Sequence, residues 1–186
     1  VAIAEQTRTI YHPTQRDSAT FIKTSAETGG EYSLLEIELE PGGGNALHRH
    51  TAYSERFTVI DGELGVEVEG QTRILRPGDS ALVPIGSAHR FFSVEGSRAR
   101  FNVELRPGHT GMEQTLRIGY GLAVDGQVNA KGHPSSPLHL AVLVELGGMG
   151  FVGPMALLAP LFRALAHLAR RRGVLQALIL RYCPAE

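Results

Sequence analysis

Two glycine-bounded histidine patterns limit what this chain can become more than any other feature. The first reads Gly42-x5-His48-x-His50-x4-Glu55-x6-Gly62; after fifteen intervening residues the second reads Gly78-x5-Pro84-x-Gly86-x2-His89. In a strand, residues i and i+2 share a face and lie roughly 6–7 Å apart. His48 and His50 can therefore lean toward one point. Glu55 approaches after a bend and shares parity with the apolar Phe57 and Val59. His89 arrives from a second turn shaped by Pro84 and Gly86, and Phe91 follows on the same face. Three imidazoles and one carboxylate on turn-bounded strands make a site for one divalent transition metal, with metal–nitrogen bonds of about 2.0–2.1 Å. An isolated His-x-His says little. The joint spacing with the turn residues carries the inference.

The flanking sequence alternates with the period of a half-buried strand. Leu35, Ile37 and Leu39 face one way, and Glu36, Glu38 and Glu40 the other. Phe57 and Val59 lie in a strand closed by Asp61-Gly62, a hairpin signal. Val66 and Val68 alternate with glutamates before Gly70-Gln71, Arg76-Pro77-Gly78-Asp79 is a turn, and Phe101, Val103 and Leu105 precede Pro107-Gly108. Short strands with regular turns predict a mainly β sandwich or barrel.

Both histidine patterns resemble the motifs of the cupin superfamily, of the small, single-domain, conserved-barrel type. Every fixed position of its first motif, G(x)5HxH(x)3-4E(x)6G, is met, and its second, G(x)5PxG(x)2H(x)3N, departs only where Ser93 replaces Asn. That Asn is not a metal ligand, so the change is local. The resemblance covers roughly residues 35–105 and implies a jelly-roll β-barrel. It implies His48, His50, Glu55 and His89 as ligands of one Fe, Mn, Ni, Cu or Zn ion, the donor set alone not choosing among them. Phe57, Val59, Phe91 and Phe101 are expected to line the substrate pocket. The remaining histidines, His12, His109, His133, His139 and His167, are expected to pack or to be solvated.

Composition narrows the function classes. Formal net charge is −1, from 18 basic and 19 acidic residues, which argues against nucleic-acid binding. The one cysteine, Cys183, excludes an internal disulfide and a cysteine-based zinc site, and fits a reducing, cytoplasmic setting. The N-terminus, VAIAEQTRTI, lacks the basic-then-apolar layout of a signal peptide.

Residues 1–30 are polar and weakly patterned and read as an arm or edge strand; 31–108 form the barrel core; 109–186 form a helical extension. Within the extension, 111–124 reads as a helix weakened by Gly119 and Gly121, and 138–146 is apolar but of ambiguous type. From Pro154 the period is helical, with Leu157, Leu158, Leu161, Phe162, Leu165 and Leu168 on one face and Arg163, His167, Arg170 and Arg171 on the other. Pro160 either kinks this helix or marks its start. Glu145, Pro154, Pro160 and Arg163 interrupt every window of about 20 apolar residues, so no membrane span is expected. Packing on the barrel or on the partner in a homodimer is preferred for the leucine stripe. A lid over the barrel mouth, or surface association with a membrane, stands behind it.

Three functions follow from the resemblance. In a dioxygenase-like oxidoreductase acting on a small enol- or diol-like molecule, Glu55 would be ligand, proton acceptor or both. In a sugar isomerase, epimerase or lyase, Lys or Arg would be needed beside the metal, yet Arg49, Arg56 and Arg90 alternate away from it. The third is a non-enzymatic small-molecule-binding module.

Overall fold

The computed structural model describes residues 8–183. Residues 1–7 of the expected arm and 184–186 of the extension lie outside the described residues. Eleven strands are described: β1 (Thr9–His12), β2 (Asp17–Lys23), β3 (Ser33–Leu39), β4 (Arg49–His50), β5 (Ser54–Gly62), β6 (Leu64–Val68), β7 (Gln71–Leu75), β8 (Ser80–Val83), β9 (His89–Ser93), β10 (Ala99–Arg106) and β11 (Met149–Gly150). A six-stranded antiparallel sheet runs β1-β2-β3-β10-β5-β8, a three-stranded one β7-β6-β9, and β4 pairs with β11. The chain is thus a jelly-roll sandwich followed by four helices, α1 (Thr110–Val124), α2 (Pro137–Leu146), α3 (Ala159–Arg171) and α4 (Val174–Tyr182).

Alternation decides which side chains enter the sandwich. Leu35, Ile37 and Leu39 of β3, Phe57 and Val59 of β5, and Phe101, Val103 and Leu105 of β10 are all buried in one cluster with Leu64, Val66 and Phe91 of the smaller sheet. The expected N-terminal arm is more than an arm. Its residues 9–23 supply β1 and β2, and Ala19 and Phe21 of β2 are core residues. A polar Asp-Ser-x-Thr lead-in hides that strand from a composition-based reading.

Asp61-Gly62 does not close a hairpin, as the sequence predicted. β5 and β6 belong to different sheets, and the corner hands the chain from one to the other. Gly62 has φ 77°, and a Cβ there would collide with the Arg98 carbonyl oxygen. The two-residue hairpin lies instead at Glu69-Gly70, between Val68 and Gln71, where both φ values are positive (49° and 76°), as a type I′ turn requires.

The helices form a second core of Ile118, Leu122, Val142, Leu143, Ala169 and Leu178. Helix α1 belongs to both cores, because Met112, Leu116 and Tyr120 pack on the barrel cluster. Its start is set by His109, whose Nδ1 accepts from the Met112 amide (2.9 Å). Glu113 anchors it further, accepting from the Ser25 amide and the Ser33 hydroxyl, both at 2.6 Å. The 138–146 run is helical, opened by Ser136 as cap and Pro137 in the first turn. Pro160 likewise opens α3 rather than kinking it.

The leucine stripe is a correction. Ala166 and Ala169 are the buried residues of α3, while Leu161 and Leu168 are exposed, as are Leu157 and Leu158 in the 3-10 turn before it. The small side chains let α3 approach α2 closely; of the stripe, Phe162 and Leu165 are half-buried beside them, while Leu161 and Leu168 are left outside.

One buried acid registers how α1 is seated. Tyr120 donates to Asp17 Oδ2 (2.8 Å), while Asp17 Oδ1 is buried without a hydrogen-bond partner. Burial pushes the Asp17 carboxyl up to about 6, the Tyr120 hydrogen bond offsetting part of the effect. A folded-state value above the unfolded one favours the fold at low pH, and that contribution is lost as pH rises through about 6. Asp17→Asn should therefore match the parent near pH 4 and exceed it above pH 6 by on the order of 3 kcal/mol, read by urea unfolding at both pH values.

Candidate metal centre

The barrel brings the two motifs together by backbone pairing. His48 lies just before β4, and its amide and carbonyl exchange hydrogen bonds with His89 at the head of β9 (3.0 and 2.8 Å). His50 ends β4, and Glu55 lies near the start of β5. The donor atoms of His48, His50, Glu55 and His89 all fall within 4.8 Å of one another. Three of the four side chains are buried and His48 is half-buried.

The hydrogen-bond network aims the rings. Nδ1 of His48 reaches the Ala46 carbonyl (2.8 Å) and Nδ1 of His89 the Ser87 carbonyl (3.0 Å). Carbonyls only accept, so both Nδ1 atoms carry the proton. The third partner is Tyr53, whose hydroxyl donates to the Gly147 carbonyl (3.1 Å) and accepts from Nδ1 of His50 (2.7 Å). Nε2 of His48 and of His50 are therefore left as lone pairs, and they face each other at 3.0 Å. Two lone pairs repel at that distance unless a cation lies between them. Bonds of about 2.1 Å meeting near a right angle separate neighbouring donors by about 3 Å. Glu55 completes the set, with Oε2 2.8 Å from Nε2 of His89 and Oε1 3.5 Å from Nε2 of His50. The donors fit a transition metal, and nitrogen donors oriented by outer hydrogen bonds are what such ions require.

Protonation agrees. Burial, reinforced by the neighbouring His50 and His89, lowers His48 to about 3, and burial lowers His50 as well. Both are neutral donors at neutral pH. Burial of Glu55 works against its charge, but the surrounding imidazoles outweigh it and hold the carboxyl at about 2. His89 moves the other way. Burial disfavours its charged form, yet the hydrogen bond to Glu55 and the carboxylate charge prevail and raise it. Burial, with the Glu55 charge, keeps the Tyr53 phenol protonated.

Beside the cluster lies a cavity of about 70 Å³. Phe57 and Phe91, aliphatic side chains of β3 and β10, and Met112, Leu116 and Tyr120 of α1 wall it, with His48, Glu55, Gln15 and Asn45 as its polar lining. Of the expected pocket residues, Phe57 and Phe91 line this space. Val59 and Phe101 do not; they are buried in the core, with Phe101 packed on both phenylalanines. Helix α1 roofs the cavity, so its part of the extension both packs on the barrel and covers the site. No arginine lines it. Arg90 pairs with Glu67 (2.6 Å), Arg100 with Glu36 (3.6 Å), Arg56 and Arg73 are exposed, and Arg49 lines a separate outer groove with Phe151 and Phe162. The other histidines stay out of the cluster: His12 packs on Tyr120, and His109 caps α1 against the Tyr53 ring.

Sequence reasoning missed Tyr53. Its signal was present, because it shares parity with Glu55, Phe57 and Val59 on one strand face. The carbonyl of Gly147, across the helical extension, had none.

The family description Cupin domain matches residues 35–105. These residues form a cupin domain. Among curated proteins, the chain is 47% identical over 49 residues to Oxidoreductase OpS7 of Beauveria bassiana, which is 26% of this chain and 16% of that one. It is 37% identical over 70 residues to Polyketide synthase CurC of Streptomyces cyaneus, covering 37% and 45% of the two chains. The chain spans less than half the length of these relatives. Among solved structures it is similar to an RmlC-like cupin from Shewanella frigidimarina, at 22% identity and a TM-score of 0.48, covering 57% of this chain and 89% of that one.

Two outcomes test the centre. Tyr53→Phe should lower metal affinity 10–100-fold, measured by chelator competition, while costing about 1–3 kcal/mol of stability for the polar groups left unpaired. Because an incoming ion must displace the His89 proton, affinity should fall about tenfold per pH unit below the raised His89 value and level off above it. A flat profile between pH 5 and 8 would contradict that protonation scheme.

Proposed function

We propose that this cupin is a metal-dependent oxidoreductase that uses dioxygen on a small, uncharged, largely apolar molecule bearing an acidic hydroxyl, such as an enol or aromatic diol. The observation that carries the reading is the cavity: mostly apolar walls beside two of the cluster's residues, His48 and Glu55, with no lysine or arginine among the described lining residues to meet a phosphate or carboxylate. A redox-active ion held by His48, His50, Glu55 and His89 would supply Lewis-acid polarisation of a substrate oxygen and electron exchange with oxygen. The chain supplies the rest. Phe57 and Phe91 bind and orient the apolar body, and the α1 side chains exclude water. Glu55 is the proton acceptor at Oε1 or Oε2. Its carboxyl, held at about 2, is ionised at neutral pH and so able to accept a proton. The name of the Beauveria bassiana relative, an oxidoreductase, points the same way.

The sugar isomerase reading is disfavoured by the same absence of cations from the cavity wall. A purely structural metal site is the remaining alternative. The free thiol of Cys183 suits a reducing cytoplasm, which we include in the proposal.

Protein loaded separately with Fe, Mn, Ni and Cu should consume oxygen with at least one member of an enol, flavonol, thiol and aromatic-diol panel. His48→Ala should abolish the uptake. No uptake with any ion across the panel rejects the proposal, and a large stability loss in a His48→Ala/His50→Ala protein with no turnover in the parent would assign the centre a structural role.

A further inference from the structure

The end of the extension carries charge of one sign. Between Gly147 and Cys183 the sequence has five arginines, Arg163, Arg170, Arg171, Arg172 and Arg181, and no acidic residue, in a chain of net charge −1. Arg170 pairs with Glu145 (3.2 Å) and Arg181 with Asp125 (2.6 Å). Among the described residues, Arg163, Arg171 and Arg172 enter no ion pair.

The same segment exposes its large apolar side chains. Leu157 is 84% exposed, Leu161 54%, Met155 52% and Leu168 37%. Leu161, Ala164 and Leu168 follow one another at helical spacing in α3, so they form a single outward stripe, and Leu157 is exposed in the turn before it. Arg171 and Arg172 continue the helix where that stripe ends.

We propose that this face docks on a lipid surface bearing anionic headgroups. The stripe would enter the boundary between headgroups and acyl chains while Arg171 and Arg172 meet phosphates, the arrangement of an in-plane amphipathic helix. Spanning is not involved, for no helix among the described residues is long and apolar enough to cross a membrane. A second copy of the chain is the poorer occupant. A two-fold contact sets the patch against its own copy, and that copy offers no carboxylate within the segment to meet Arg171 and Arg172. An anionic bilayer complements both the apolar stripe and the charge.

Flotation with extruded vesicles tests this with the full chain. The protein should float with vesicles of phosphatidylcholine and phosphatidylglycerol at low salt, and at least tenfold less with phosphatidylcholine alone. Arg171→Gln/Arg172→Gln should reduce partitioning about 30-fold, each arginine near an anionic surface contributing about fivefold. Leu161→Ser/Leu168→Ser should reduce it at low and high salt alike, with unchanged circular dichroism. The arginine variant and the lipid comparison carry the test should the leucine variant misfold. Absence of flotation with anionic vesicles overturns the proposal. So does a parent dimer, in sedimentation equilibrium, that the leucine variant converts to monomer.

Discussion

Three hydrogen bonds made by the outward-facing ring nitrogens hold the candidate centre in place. Ala46, Ser87 and Tyr53 each accept the Nδ1 proton of one histidine, and so turn every Nε2 inward. Without them, imidazoles in an apolar barrel would gain by rotating toward water or toward one another's protons. With them, the lone pairs of His48 and His50 are held face to face, and a carboxylate is kept ionised beside them by its hydrogen bond to His89. That arrangement is costly for an empty protein and favourable around a cation. The sandwich exists, in this sense, to over-determine four rotamers.

The helical extension takes part in that constraint. Gly147, just past α2, receives the Tyr53 hydroxyl, and β11 pairs with the strand that carries His50. Helix α1, anchored through Glu113 to the turn after β2 and to the start of β3, roofs the cavity from the other side. Its two faces belong to different cores, so barrel and helices share one packing problem.

Much of this was legible in the sequence, for physical reasons that differ by element. Strands β3, β5 and β10 alternate cleanly because one face of each meets the core, and the ligand spacing survives folding because β-turns fix where a strand begins. Strand β2 was obscured by polar residues at its start. Asp61-Gly62 was misread because a glycine with positive φ serves a corner between sheets as well as a hairpin. The pocket was half right: parity separates inside from outside, and so found Phe57 and Phe91, but it cannot tell a cavity wall from the core behind it, where Val59 and Phe101 lie. In α3 the periodicity was real but its centre was displaced: Phe162 and Leu165 turn inward beside the buried Ala166 and Ala169, and Leu161 and Leu168 face out.

The pairing of Met149 and Gly150 with Arg49 and His50 has a consequence for how this domain is bounded. The family match ends at residue 105, yet one brace of His50 comes from more than forty residues beyond that limit. Excising the matched stretch would keep every donor and discard a strut. A chimera that swapped tails between such proteins would therefore transplant part of the centre's stiffness along with them.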